Sequence, residues 1–533
     1  MPRAVPTSNR VGKTKASTSK VSSVNKKAPS KANGPTTSTL GEFNVLSRHQ
    51  AILSRLVHIT NDCFFAASRN KHSASTALAE PPKKRQKTAP ASINATPTQK
   101  LDIYVFGAGE FGELGLGATP IDGNGPTNVR VPRHNKLLDA FNVTQLAVGG
   151  MHCVALTKQG QILTWGVNDH GALGRDTIWE APTRDIDEES GSDDDDESDL
   201  NPKESTPTSI PESDLGGGEY TFVQVAATNS ASFALTSTGL VFGWGTFSGN
   251  DGAIGFLPEK AMQAAKTRND ELKLQRNPVL IPHLSQITSL ATGCNHILAL
   301  SLQGRVYAWG AGSQSQLGLR TRTTRYSALS PHLLTVTGIK QIACGAYQSF
   351  AIAEDGLVYT WGLNNFGQTG IDQDAGENDA CIAQPIVVES LRPYKIRMIE
   401  GGEHHTLACT TDGELLVWGR CDDGQAGIPL DSIPKDYLVL DSRERPRILL
   451  KPTVVPGIKG ATAVAAGIDT SFAVDGEGKS WAWGFGDGCR TGLGTGNTIG
   501  EARCMVKGDG VGKKIVFVGA GGQFGVLGGV AEH

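Results

Sequence analysis

The chain has 533 residues, enough for two or three average domains or one large repeat fold, and it contains no run of 18 uncharged apolar residues able to span a membrane. Its formal charge of −3 hides an asymmetry: residues 1–100 carry 17 Lys and Arg against 3 Asp and Glu, whereas the remainder is strongly acidic. A basic arm on an acidic body suits contact with nucleic acid, and a polar, basic start to the chain gives no expectation of a signal peptide.

In chain order, residues 1–38 are Lys, Ser, Thr, Pro and Asn with almost no large apolar side chain, a composition that builds no core and is expected to be disordered. Eight Lys and Arg there, from Arg3 to Lys31, would meet DNA phosphates without sequence preference. Residues 39–80 are more apolar, with a loosely helical pattern. Pro82-Lys83-Lys84-Arg85-Gln86-Lys87 is a short basic cluster that reads as a nuclear localisation signal. Residues 1–100 are therefore expected to form a tail and residues 101–533 a folded body.

The body is a repeat. Trp-Gly recurs at Trp165, Trp244, Trp309, Trp361, Trp418 and Trp483, at spacings of 79, 65, 52, 57 and 65 residues, and a degenerate copy, Phe106-Gly107, precedes them. Each Trp-Gly follows two apolar, alternating strand patterns and Gly-containing turns such as Lys158-Gln159-Gly160. Units of this length, each a small antiparallel sheet, read as the blades of an all-β, seven-bladed propeller. The Trp side chains are expected to fill the space between blades. Asp102–Gly117 has a last strand with nothing before it, and Lys514–Val530 has first strands with no Trp-Gly after them. The two would complete one blade and close the ring without exposed sheet edges. Asp185–Asp199 holds ten acidic residues in fifteen, within an expected disordered insertion spanning about 183–216.

No reaction chemistry is legible. The nine cysteines, from Cys63 to Cys504, include no C-x-x-C pair, so neither a metal site nor a disulfide framework is expected. Gly107-Ala108-Gly109-Glu110-Phe111-Gly112 matches a dinucleotide fingerprint but sits in a repeat turn rather than a βαβ unit. No catalytic constellation, cofactor or small-molecule substrate is expected.

The recurring Gly-x-x-His-x-x-Ala-Leu, then Trp-Gly-x-Asn-x-x-Gly-Gln-Leu-Gly, resembles the repeats of the regulator of chromosome condensation family over roughly Leu101 to Val530. Gly519–Val530 and Trp481–Gly494 resemble fungal members of its exchange-factor branch. The resemblance implies a guanine-nucleotide exchange factor for the small GTPase Ran. Such a factor works on chromatin in the nucleus, serves nucleocytoplasmic transport and mitosis, and makes no covalent bond. It implies a wedge against the GTPase at Thr246, Phe247, Ser248, Gly249, Asn250, Asp251 and Gly252, with further contacts from Asn229, Asn295, His404 and His405. It implies that Arg320, Arg322 and Arg325 dock on the acidic patch of the nucleosome, where bidentate carboxylate pairing favours Arg. Lys83, Lys84, Arg85 and Lys87 would engage importin, and the tail DNA. His152 and His296 occupy the ordinary repeat position and are expected to be structural. Because one propeller serves many functions, a non-exchanging scaffold and a propeller hydrolase or lyase stand as alternatives.

Overall fold

A computed structural model describes residues 91–121, 123–181, 200–319, 324 and 326–532. Alternating apolar strands that cannot bury both faces alone pack here as seven antiparallel sheets in a ring. Blades 1 to 6 run Val143–Ser209, Phe222–Leu280, Ile287–Leu333, Ile339–Val387, Ile396–Val454 and Ala463–Cys504, and each contains one Trp-Gly. In the closing blade the order is Val129–His134, Leu101–Gly107, Phe524–Val530, Ile515–Ala520. Leu101–Gly107 pairs residue for residue with Phe524–Val530, so the split blade expected from the two half-repeats closes the ring.

The joint between blades explains the repeat signature. Trp165, Trp244, Trp361, Trp418 and Trp483 are fully buried. Their indole N–H groups donate to backbone carbonyls of the preceding blade: Glu113, Ala172, Gln316, Gln368 and Gln425, at 2.7–3.0 Å. Two residues after each carbonyl comes a glycine. At Gly427 φ is +66°, and a Cβ would lie 2.6 Å from the Trp483 Nε1. Only Gly combines that left-handed backbone with the missing volume. Gly115, Gly174, Gly318 and Gly370 repeat the arrangement, and Gly492 repeats it against Phe106, which carries the degenerate copy. The second letter of Trp-Gly has its own reason: at Gly484, φ +100°, a Cβ would sit 2.2 Å from the Asp469 carbonyl oxygen.

The repeat histidines tie the same joint. His152, His296 and His405 place Nε2 2.8–2.9 Å from the Oγ of Ser232, Ser349 and Ser471 in the next blade. Each Ser hydroxyl donates onward to the carbonyl that also holds the Trp indole: Ala172, Gln316 and Gln425. His152 and His296 are thus structural, as their repeat position suggests. In blade 4 Gln348 stands in the same place and donates to the Gly402 carbonyl.

Antiparallel strands force a simple division of loops. Connections from first to second strand and from third to fourth strand emerge on one face, here called the upper face. The remaining connections form the lower face. The first-to-second-strand loops are chained by backbone hydrogen bonds, including Asn229 N to Cys294 O, Cys294 N to Ala346 O and Ala346 N to Gly402 O. They surround the mouth of a central channel of about 1070 Å³, lined by Gln145, Gln224, Gln341 and Glu400 among others.

Two expected boundaries move. The described chain reaches back past residue 100: Ile93 N donates to Ser237 O, and Asn94 Nδ2 donates to the carbonyls of Thr236 and Ile287. The insertion expected at 183–216 ends earlier. Pro202–Ser205 is a helical turn capped by Asn201, and Thr208–Ser209 is the outer strand of blade 1. Its acidic run, 182–199, lies outside the described residues, as do residues 1–90. The eight described cysteines form no disulfide. No described helix is long and apolar enough to cross a membrane.

Two outcomes test the joint. Gly427→Ala should lower the unfolding free energy by about 3 kcal/mol, the sum of left-handed strain and overpacking; an unmoved urea midpoint would show that the joint absorbs a methyl group. The second concerns acid. Burial lowers the pKa of His296 from its ordinary 6.5 to about 3, so the unfolded chain binds the proton first. The stability it contributes is complete above pH 6.5 and is lost as pH falls toward 3. Acidification from pH 7 to 4.5 should therefore cost His296→Gln roughly 2 kcal/mol less than wild type. Equal losses in parallel denaturation curves would contradict this.

Candidate functional site

Blade 2 breaks the repeat. After Trp244-Gly245 its chain lacks the Gly-Gln-Leu-Gly turn and forms a two-stranded hairpin, Phe247–Gly249 with Gly252–Gly255. Ser248 pairs with Ala253 and Gly249 with Gly252, leaving Asn250-Asp251 at the tip. Short polar residues and Gly252 at φ +88° suit such a tight turn. The root is aromatic. Phe247 stacks on Phe256 with centroids 5.6 Å apart and planes 4° from parallel. Phe233 lies edge-on to Trp309 at 6.1 Å. A ten-residue helix, Pro258–Thr267, follows the hairpin, and its Ala261 packs against Gly255.

The wedge residues expected from sequence therefore divide. Thr246 and Phe247 are fully buried and form the root, so they cannot touch a partner. Ser248 and Gly249 are half-buried, and Asn250, Asp251 and Gly252 are exposed. The tip is the part available for contact.

Asn229, Asn295 and His404 lie in first-to-second-strand loops, on the same upper face as the hairpin. Asn229 is exposed beside the channel mouth. Asn295 Oδ1 accepts a hydrogen bond from the Ser248 backbone N–H at 3.0 Å. His405 belongs elsewhere: it is 0% exposed and bonded to Ser471 within the joint. The expectation that both histidines face a partner is corrected for His405, because strand alternation turns it inward and leaves only His404 toward the surface.

The surroundings of His404 were not legible. Phe366, from the Trp361-Gly362-Leu363-Asn364-Asn365-Phe366 turn of blade 4, packs on the His404 ring at 4.7 Å. The guanidinium groups of Arg420 and Arg447 sit over Phe366 at 5.6 and 4.8 Å. Arg420 also binds Asp422, Asp423 and Asp469. Burial, then the positive charge of Arg420, lowers the pKa of His404 to about 4, so it stays neutral at physiological pH. A sequence signal existed: blade 5 reads Trp418-Gly419-Arg420-Cys421-Asp422-Asp423, a charged departure from the repeat.

Arg320, Arg322 and Arg325 lie outside the described residues, as do Lys83, Lys84, Arg85 and Lys87. Asp102, His134 and Asp139 are the one described group of three potential metal ligands; they sit on the rim of the closing blade, away from the hairpin.

Such a surface has the makings of a protein-docking face. It presents a protruding hairpin, a half-buried aromatic–cation cluster and loops chained by backbone bonds. Comparison with known proteins identifies the family of the ring. Residues 102–527 match the model of the RCC1-like domain. The chain is 39% identical over 442 residues to a Saccharomyces cerevisiae protein named guanine nucleotide exchange factor SRM1, covering 81% of this chain and 88% of that one. It is similar to the crystal structure of Prp20p from the same yeast, studied for its binding to Gsp1p and histones. There the TM-score is 0.70 at 37% identity, with 82% of this chain and 92% of that chain covered. Prp20 in its complex with Kap60 gives a TM-score of 0.71 at 35% identity, over 88% and 97% of the two chains. A propeller closed by strands from both ends of the repeat region, with a hairpin in place of one repeat turn, and a family match spanning that whole ring together show that this chain belongs to the RCC1-like domain family.

Proposed function

We propose that this chain is a guanine-nucleotide exchange factor for Ran. One observation carries the reading: the blade that abandons the repeat's Gly turn builds a protruding hairpin in its place, in a chain similar over most of its length to a named exchange factor. An exchange factor breaks no covalent bond. It binds the nucleotide-free GTPase more tightly than the loaded one, and that difference shifts the GTPase toward release. The tip, Asn250, Asp251 and Gly252, would press on the nucleotide site while Asn229 and His404 contact the GTPase around it. A wedge of this kind weakens GDP and GTP alike, so the cellular excess of GTP sets the direction.

The relatives extend the reading to chromatin. Binding of Gsp1p and histones by Prp20p, and the Kap60 complex of Prp20, support a nuclear, chromatin-bound role that supplies Ran-GTP for transport and mitosis. Within it, Arg320, Arg322 and Arg325 would pair with histone carboxylates. The basic residues from Arg3 to Lys31 would bind DNA, and Lys83, Lys84, Arg85 and Lys87 would bind the importin.

Deleting Asn250–Gly252 leaves the Phe247–Phe256 root in place. It should slow stimulated GDP release from Ran at least tenfold, about 1.4 kcal/mol of lost differential binding. Undiminished release would favour a non-exchanging scaffold. Reversing the charge at Arg320, Arg322 and Arg325 should abolish retention on nucleosomes without slowing GDP release; retention at the wild-type level would remove these arginines from the interface.

A further inference from the structure

We propose that Asn295 is a positioning residue that aims the wedge, rather than a residue that touches the GTPase. The proposal rests on the exchange reading for its functional readout, and on hydrogen-bond geometry for its physical content. The hairpin pairs only with itself and joins no blade sheet. An isolated two-stranded hairpin is marginally stable in water, so its direction depends on how its base is held. Phe247 fixes the root from within the blade, and Thr246 Oγ1 donates to the Lys273 carbonyl at 3.2 Å. Both tethers stop short of the projecting segment.

The next residue outward, Ser248, is held from a different blade. Its backbone N–H donates to Asn295 Oδ1 at 3.0 Å. Asn295 is itself firmly mounted. Its carbonyl accepts from Ala311 N at 2.7 Å. Its neighbour Cys294 is bonded on one side to Asn229 and on the other to Ala346, within the ring of loops around the channel mouth. The side chain thus couples the wedge to the most interlinked part of the upper face. The clamp uses only the carbonyl end of the amide; Nδ2 has no acceptor among the described residues. An acceptor at this position is therefore what the wedge requires, and Asp would supply one as well as Asn does.

The experiment uses the full chain as wild type, Asn295→Asp and Asn295→Ala. Two quantities are read: hydrogen–deuterium exchange at the Ser248 amide in the free protein, and kcat and KM for stimulated release of labelled GDP from Ran. Loss of one net hydrogen bond corresponds to a factor of about five to ten. Asn295→Ala should lose Ser248 protection and that factor in kcat, with KM within about twofold. Asn295→Asp, which keeps the acceptor and removes the amide donors, should retain both. If Asn295→Asp protects Ser248 yet loses kcat as Ala does, the amide donor touches the GTPase and the proposal fails. It fails equally if Asn295→Ala leaves Ser248 protected. Should wild type release no GDP at all, the exchange reading falls while the Ser248 protection still decides whether the clamp exists.

Discussion

One carbonyl group per blade organises this molecule. In four of the seven joints, the carbonyl two residues before a left-handed glycine accepts both the next blade's indole N–H and a Ser or Thr hydroxyl. In three of those four, the hydroxyl in turn meets the repeat histidine. A buried Trp needs a partner for its N–H, and a buried carbonyl needs donors; the joint satisfies both without water. The glycine is the geometric condition. A Cβ there would crowd the indole at four of the five seams, at 2.6–2.8 Å.

The hairpin on the upper face follows from relaxing this constraint once. Blade 2 has Ala231 at the histidine position, and its turn no longer supplies the carbonyl. Phe247 and Phe256 stack there instead, in one buried cluster with Trp309. Apolar stacking replaces polar capping, which frees the chain beyond Phe247 to project as a hairpin. Antiparallel connectivity then puts that hairpin on the same face as Asn229, Asn295 and His404, since every first-to-second-strand loop must emerge there. The gathering of these residues from three blades is a consequence of strand direction.

Much of this was legible in the residues. Six Trp-Gly copies, one Phe-Gly copy and two half-repeats at the ends sufficed for blade number and ring closure, because each blade's pattern is local. The hairpin's place was visible as a departure from that pattern. Other features were opaque because they depend on what lies across a joint. Thr246 and Phe247 look like wedge residues in sequence but are sealed by Phe233 and Phe256. His404 and His405 are adjacent, and only strand pleating sends one to the surface and the other to Ser471. Ile93 and Asn94 carry no repeat signal, yet they bond across blades 2 and 3.

Sequence by itself determined the number of blades, the closure of the ring and the one blade that differs. Those rest on periodic spacing and on glycine at fixed offsets, which the backbone enforces within each repeat. Tertiary structure alone decided which residues of the odd blade are root and which are tip, which histidine is free, and that Asn295 grips Ser248. These depend on packing and hydrogen bonds beyond the local repeat, the last two between residues 47 and 66 positions apart, where tertiary contact rather than local preference selects the partner.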